Sequence, residues 1–477
     1  MDHDLGWWVR IALDGWRRRS GPHYRRIAEG IADAMERRLV AAEERLPAER
    51  TLADALGVSR GTLVRAYGEL ADAGWVERRQ GAGTFVRPRP LSAHAPVESA
   101  ASALLRRRLA QDGSAGSKEI IDLSLSVPAG VDHLPPFDGG IPPRELRGHG
   151  LHPAGLPALR AALATHLTAR LRLPTTPDQL IVTSGARHAL SLVLAALDSP
   201  ARSVITGCPT HPGLASAVRG ERPIAVPVDA FGIDAQAVRR LAVRTPVVYV
   251  DSAAHDPTGA VLSASRRDSL LALVRRGGAL LVEDLAQAGL DLEREGQPVI
   301  PLAARDDSVI ALGSLSKMFW AGLRVGWIRA PEWLRDVLLL LASASDLAPG
   351  VPAQLIAARL LGAAGATWQD ELRRSLRDRR DLLLGLLRRQ LPAWRPEVPR
   401  AGLSAWVSLP VTESETFAHL AARYGVIVAP GAAACVDGRH HHGVRLSFAE
   451  SPRTLESAVD RLVAAWEEHS RRLAVGR

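Results

Sequence analysis

The apolar and polar positions of the chain fall into two regimes. Between His23 and Val86 they predict short helices followed by a turn-rich hairpin. Thr51 to Leu56 reads as a short helix, Gly57-Val58 as a tight turn, and Ser59 as the N-cap of a second helix ending near Ala73. On that second helix Leu63, Tyr67 and Leu70 share one face, which is expected to be core. Gly61, Thr62 and Arg65 fall on the opposite face, with Arg60 at the helix start. Trp75-Val76-Glu77-Arg78-Arg79 and Thr84-Phe85-Val86 then flank Gln80-Gly81-Ala82-Gly83 as a hairpin. From Ile120 onward, short apolar runs such as Leu180-Ile181-Val182, Val247-Val248-Tyr249-Val250 and Leu280-Leu281-Val282 alternate with long Ala/Leu/Arg stretches of helical period. Buried strands separated by helices predict an α/β domain with a mostly parallel sheet.

Between the two regimes, prolines and small residues from Pro88 to Gly116 carry no long apolar period and predict a linker, within which Leu104–Leu109 is a candidate short helix. The expected organisation is multidomain, α+β then α/β, with domains over residues 20–88 and 119–472 and a linker over 89–118.

Composition narrows this picture. With 47% hydrophobic and 23% charged residues, the 477-residue chain is not disordered throughout. No charge-free apolar run is long enough to span a bilayer, and Met1-Asp2-His3-Asp4 lacks the layout of a secretory signal, so no membrane partner is expected and a cytoplasmic location is. Only Cys208 and Cys435 are present, which excludes a disulfide framework; both are expected to be ordinary buried residues, and no metal site is expected. His440-His441-His442 beside Arg439 reads as a solvated loop. The net charge of +9 is spread out, since residues 1–90 hold 16 basic and 13 acidic residues, so charge alone does not carry nucleic-acid binding. Of the 60 basic residues only Lys118 and Lys317 are lysines. In a chain that uses arginine almost everywhere, a lysine is expected where a deprotonatable amine is needed.

A helix, a tight turn and a helix exposing Arg and Thr near its N-terminus is how a recognition helix meets the major groove. The segment resembles the GntR-type winged helix–turn–helix in Leu46-Pro47-Ala48-Glu49-Arg50, Leu56-Gly57-Val58-Ser59-Arg60-Gly61-Thr62-Leu63, Ala73-Gly74-Trp75-Val76 and Gln80-Gly81-Ala82-Gly83-Thr84-Phe85-Val86. The resemblance implies that Arg50, Ser59, Arg60, Thr62 and the wing glycine Gly81 contact double-stranded DNA, and Arg65 joins them by its place on the exposed helix face. Gly61 stands where the family commonly has Thr.

In the C-terminal part the sharpest element is Ser314-Leu315-Ser316-Lys317 followed by Gly322-Leu323-Arg324. A strand delivers hydroxyls, then a lone lysine, then an arginine. A desolvated lysine forms a Schiff base with an aldehyde, while serines and arginine hold a phosphate. Together they point to pyridoxal 5'-phosphate (PLP). Ser184-Gly185-Ala186 follows a strand and opens a helix, offering backbone N–H groups to the phosphate. Asp284 ends a strand, where it is placed to pair with a pyridinium nitrogen, and Arg445 is a candidate for a ligand carboxylate.

At this point residues 120–470 resemble the fold type I PLP-dependent transferases, and with the winged helix the whole chain resembles the MocR subfamily of GntR regulators. That resemblance implies a PLP-responsive transcription factor, a head-to-tail homodimer with an amino compound or PLP itself as effector, and Lys317 as the catalytic lysine. Asp256 stands where relatives usually have an asparagine that donates to the cofactor's phenolic oxygen, Ala286 replaces a tyrosine, Leu151 replaces the partner's phosphate-reaching tyrosine, and Arg187 replaces a glutamine. His211 takes the place of the ring-stacking aromatic. With these substitutions weak or no turnover is expected. Two other functions stay open: an aminotransferase with an auxiliary N-terminal domain, and a regulator whose C-terminal domain no longer binds PLP.

Overall fold

The computed structural model describes residues 5–9, 13, 16–18, 21–36, 40, 44–72, 75–79, 83–87, 120–146, 148–197, 203–218, 223–242, 245–293 and 299–475. The chain divides into two compact units, Met1–Ser99 and Ala100–Arg477. The expected linker, its candidate helix, Gly74 and Gly81 lie outside the described residues.

The N-terminal unit packs helices His23–Glu36, Glu49–Leu56 and Arg60–Asp72 around one core. Ile27 and Ile31, Leu52 and Leu56, and Leu63, Ala66, Tyr67 and Leu70 are its buried contributions, each set at helical spacing. Gly57 adopts φ +67 and turns the chain between the second and third helices. Ser59 then caps the third: its Oγ accepts from the Thr62 N–H at 3.2 Å. Strands Val76–Arg79 and Gly83–Val86 pair antiparallel, Val76 opposite Val86 and Arg79 opposite Gly83, which is the wing.

The C-terminal unit is built on an eight-stranded sheet in the order Leu180–Thr183, Gly326–Arg329, Ile310–Ser314, Leu280–Asp284, Val247–Asp251, Val204–Cys208, Ile224–Asp229, Gly232–Ile233. The central strands, from Ile310–Ser314 to Ile224–Asp229, run parallel, and antiparallel pairs close both edges. Alternation along each strand explains the unbroken apolar runs. Tyr249, Val282, Ile310 and Leu312 enter one core, while Val248, Val250, Leu281 and Ala311 enter another on the opposite face. A second, four-stranded sheet orders Arg395–Pro396, Ser404–Ser408, Gly443–Ser447 and Ala429–Pro430. Two of its strands are two residues long and carry no period to read. Among the described residues no helix is long and apolar enough to cross a membrane.

Candidate functional site

Cys208, Asp251, Asp284 and Ser314 each end a parallel strand of the large sheet. In open α/β sheets that carboxyl edge is where ligands bind. A cavity of about 340 Å³ lies there, and its walls include Ala186, Arg187, His211, Asp256, Asp284, Ser314, Ser316, Lys317, Arg324 and Arg445. Residues separated by more than half of the C-terminal unit are thus gathered into one chamber. Ser184 and Gly185 stand just behind it. The Ser184 Oγ turns to Asp346 Oδ2 at 3.2 Å, and its carbonyl accepts from Arg324 Nη2 at 2.9 Å.

Lys317 follows the strand Ile310–Ser314 and is largely buried, its Nζ 3.5 Å from Asp256 Oδ2. Burial pushes the ammonium down from its ordinary value and Arg445 adds to that effect, against the opposing pull of Asp256 and Asp284. Asp284 is fixed by two donors, the Tyr249 hydroxyl at 2.7 Å on Oδ2 and the Ala286 N–H at 2.7 Å on Oδ1. Burial nevertheless raises its carboxyl above the usual range, because the two hydrogen bonds offset desolvation only in part. Surrounding protein lowers His211 to about 3, so its ring is neutral, and Nδ1 accepts from the Gly213 N–H at 3.0 Å. That leaves the Nε2 atom to carry the proton.

Asp256 is the feature the sequence left hardest to read. Its Oδ1 accepts from Arg445 Nη1 at 2.8 Å, while Arg445 Nη2 donates to the Ser124 carbonyl at 2.7 Å. Burial alone would raise the Asp256 carboxyl, but Arg445 and Lys317 outweigh it and hold the group well below the usual carboxylate range. The carboxylate arginine expected from the sequence therefore already holds a carboxylate, one supplied by the chain.

The donor set fits a phosphorylated pyridine aldehyde. Ser316 Oγ, Ser126 Oγ and Arg445 Nε are buried with no hydrogen-bond partner. A Cβ on Gly326 would come within 2.5 Å of the Gly185 carbonyl carbon and 2.9 Å of the Ala186 nitrogen, so the strand and the Ser184–Ala186 turn pack backbone to backbone. Ala186, Ser314, Ser316 and Arg324 line the cavity together with the Asp284 carboxylate. Lys317 also lines a second cavity, of about 620 Å³, with His133, Trp368, Arg379 and Glu450.

Sequence reasoning missed Tyr249 and Ser124, which hold Asp284 and Arg445. It missed as well a cluster beside the cavity formed by Cys208, Cys435, Asp437 and His440. Of the expected DNA contacts, Arg50, Ser59, Arg60 and Arg65 are exposed and Thr62 is half-buried. The Arg65 guanidinium lies 3.8 Å from the centre of the Tyr24 ring, so part of its reach is spent within the unit.

Residues 147–462 match the aminotransferase class I and II family, and residues 23–86 match the gntR family of bacterial regulatory proteins. The chain is 29% identical to the uncharacterised HTH-type transcriptional regulator YisV of Bacillus subtilis, over 92% of this chain and 95% of that protein. It is 30% identical to the pyridoxine biosynthesis transcriptional regulator PdxR of Corynebacterium glutamicum, over 75% of this chain and 77% of that one. Among solved structures it is similar to the α-aminoadipate aminotransferase LysN of Thermus thermophilus, crystallised with N-(5'-phosphopyridoxyl)-L-leucine. There the TM-score is 0.65 at 25% identity, covering 73% of this chain and 92% of that one.

Proposed function

The chain belongs to the class I and II aminotransferase family, joined to a gntR-family domain in the MocR arrangement, and on that premise we propose a DNA-binding transcriptional regulator whose aminotransferase-like domain binds PLP at Lys317 and senses an amine. The observation that carries this reading is Lys317 itself, desolvated in a chamber whose other walls supply hydroxyls, backbone N–H groups, an arginine and a carboxylate. PLP, when bound, supplies an aldehyde that bonds covalently to primary amines.

The chain's own residues do the rest. Gly185, Ala186, Ser314, Ser316 and Arg324 would hold the phosphate, Asp284 would keep a proton on the ring nitrogen, and neutral His211 would serve as the ring-stacking group. Asp256 occupies Arg445 and would repel a second carboxylate in the same place. The effector is therefore an amine that needs no α-carboxylate for recognition. Ala286 and Asp256 offer no hydroxyl or amide to the cofactor's phenolic oxygen, which favours sensing over turnover.

Arg50, Ser59, Arg60, Thr62, Arg65 and Gly81 are assigned to DNA. Dimerisation is supported by an exposed apolar stripe, Trp333, Val337 and Leu340, at helical spacing on Glu332–Asp346.

The test is a titration of the full chain with PLP, followed by near-UV and visible absorbance, beside Lys317→Ala. A new band in the wild type alone, trapped at Lys317 by borohydride and located by mass spectrometry, is the expected result. No band in either protein, or the same band in both, removes the PLP reading.

A further inference from the structure

Beside the ligand chamber, two distant stretches of chain bring four potential metal donors together. Cys208, buried at the end of Val204–Cys208, meets Cys435, which lies 227 positions later in sequence, with Sγ atoms 3.6 Å apart. Cys208 Sγ is also 3.4 Å from His440 Nδ1 and 3.2 Å from Asp437 Oδ1. Asp437 Oδ1 stands 3.4 Å from Cys435 Sγ and 3.9 Å from His440 Nδ1.

A tetrahedral zinc ion, with Zn–S near ~2.3 Å and Zn–N or Zn–O near ~2.0–2.2 Å, separates its donors by about 3.4–3.8 Å. Five of the six donor pairs lie from 3.2 to 3.9 Å apart, which brackets that range, and all four donor atoms fall within 4.8 Å of one another. A disulfide would require the sulfurs at about 2.05 Å. We propose that Cys208, Cys435, Asp437 and His440 form a structural zinc site.

The surroundings agree with this chemistry. The Val436 N–H points at Cys208 Sγ (3.4 Å) and the His440 N–H at Cys435 Sγ (3.3 Å), an arrangement that stabilises thiolates. Asp437 Oδ1 accepts from the Arg439 N–H at 3.0 Å, and the Arg439 guanidinium lies 3.3 Å from Oδ2. Two thiolates and a carboxylate around a dication leave one negative charge, which Arg439 faces. Two sulfurs and an imidazole disfavour magnesium and calcium, and four protein donors leave no open position for catalysis.

The location gives the ion a task. The Thr210 N–H donates to the Ala434 carbonyl at 2.8 Å, so the two stretches already touch. Cys208 leads into His211, and the 435–440 stretch leads into the strand Gly443–Ser447 that carries Arg445. Zinc fastens together the two segments that hold His211 and Arg445 against the chamber. It acts by positioning, and the site stands whether or not PLP binds.

The experiment is elemental analysis of the full chain, expressed without a histidine tag and purified without chelator. About one zinc per chain is expected, as four protein donors close one coordination sphere. After stripping and cobalt(II) addition, the visible ligand-field bands and near-UV sulfur-to-metal charge transfer of a tetrahedral thiolate site are expected. Asp437→Ala and His440→Ala, at partly exposed positions, keep the test open if Cys208→Ser does not fold. Each is expected to weaken zinc binding by at least about tenfold, the lower end of what disturbing even an outer partner of a metal site costs. Chelation should lower the wild-type Tm, and lower that of these variants by less. Three outcomes overturn the proposal: substoichiometric metal that added zinc does not raise, zinc content and affinity unchanged in both variants, or a Cys208–Cys435 disulfide in the purified chain.

Discussion

At position 256 a carboxylate stands in reach of two cations, Lys317 Nζ at 3.5 Å and Arg445 Nη1 at 2.8 Å. An amide there would leave Arg445 with uncompensated charge facing the chamber, so Asp256→Asn is expected to convert the ligand preference. In spectral titrations of the PLP-loaded chain, binding of α-amino acids relative to their decarboxylated amines should improve by about tenfold, or ~1.4 kcal/mol. An unchanged ratio would show that the Asp256–Arg445 pair does not select the ligand. Charge also matters where it is refused. His166 is buried in the helix Pro157–Arg170, and desolvation, helped by Arg170, lowers it to about 4. The unfolded imidazole titrates near ~6.5. Between those values the unfolded chain takes up a proton that the folded chain does not, so the contribution of His166 is complete above about pH 6.5 and lost as pH falls towards 4. Its slope is at most about 1.4 kcal/mol per pH unit. His166→Leu should flatten the Tm-versus-pH profile of the C-terminal unit within that window. A profile parallel to wild type would mean that another group sets it.

At the scale of elements, the turn between Leu180–Thr183 and Ala186–Ala196 depends on its neighbour strand, because Gly326 sits opposite Thr183 with its Cα hydrogens against the Gly185 backbone. Gly326→Ala places a methyl where rigid backbone already stands. It is expected to displace the phosphate turn, weaken PLP by at least tenfold (~1.4 kcal/mol), and lower the Tm. Wild-type PLP affinity in this variant would remove the turn from the phosphate site. The turn and the Ser314–Lys317 segment were legible in the sequence because strand, turn and helix follow one another within a dozen or so consecutive residues, as did the Ser59 cap and Thr62. Contacts made across the fold were not. Tyr249 reaches Asp284 from the next strand, Asp256 reaches Arg445 across 189 positions, and Cys208 meets Cys435 across 227. Tyr249 looks unremarkable in an apolar run and each cysteine stands alone in its segment, while Asp256 and Arg445 were each singled out without any sign that they pair. Sheet order brings Tyr249 to Asp284, and the packing of separate segments brings the other two pairs together. The strands Arg395–Pro396 and Ala429–Pro430 escaped for a simpler reason, since two residues define no alternation.

At the scale of the whole molecule, the N-terminal unit has a core of its own, built from Ile27, Ile31, Leu52, Leu63, Tyr67 and Val76, and the C-terminal unit has its cores on the two faces of the large sheet. Regulation by an amine therefore cannot be read from either unit alone; it has to appear as a coupling free energy between DNA and ligand. Such coupling is reciprocal. An amine that changes the operator Kd of the PLP-loaded chain by some factor must find its own Kd changed by the same factor on operator-bound protein, and typical couplings of about 1–3 kcal/mol correspond to roughly 5–150-fold. Anisotropy with labelled upstream DNA measures one side, and spectral titration of the chamber measures the other. Arg60→Ala separates the two: it is expected to weaken operator binding by about 1–3 kcal/mol where the side chain reads a base, and to leave the amine titration without DNA where it was. Equal shifts on both sides would establish the C-terminal unit as the sensor of the N-terminal one. An operator Kd indifferent to every amine that binds the chamber would mean that the two units share a chain without sharing an equilibrium, and the aminotransferase-like domain would then have to be explained by its own chemistry.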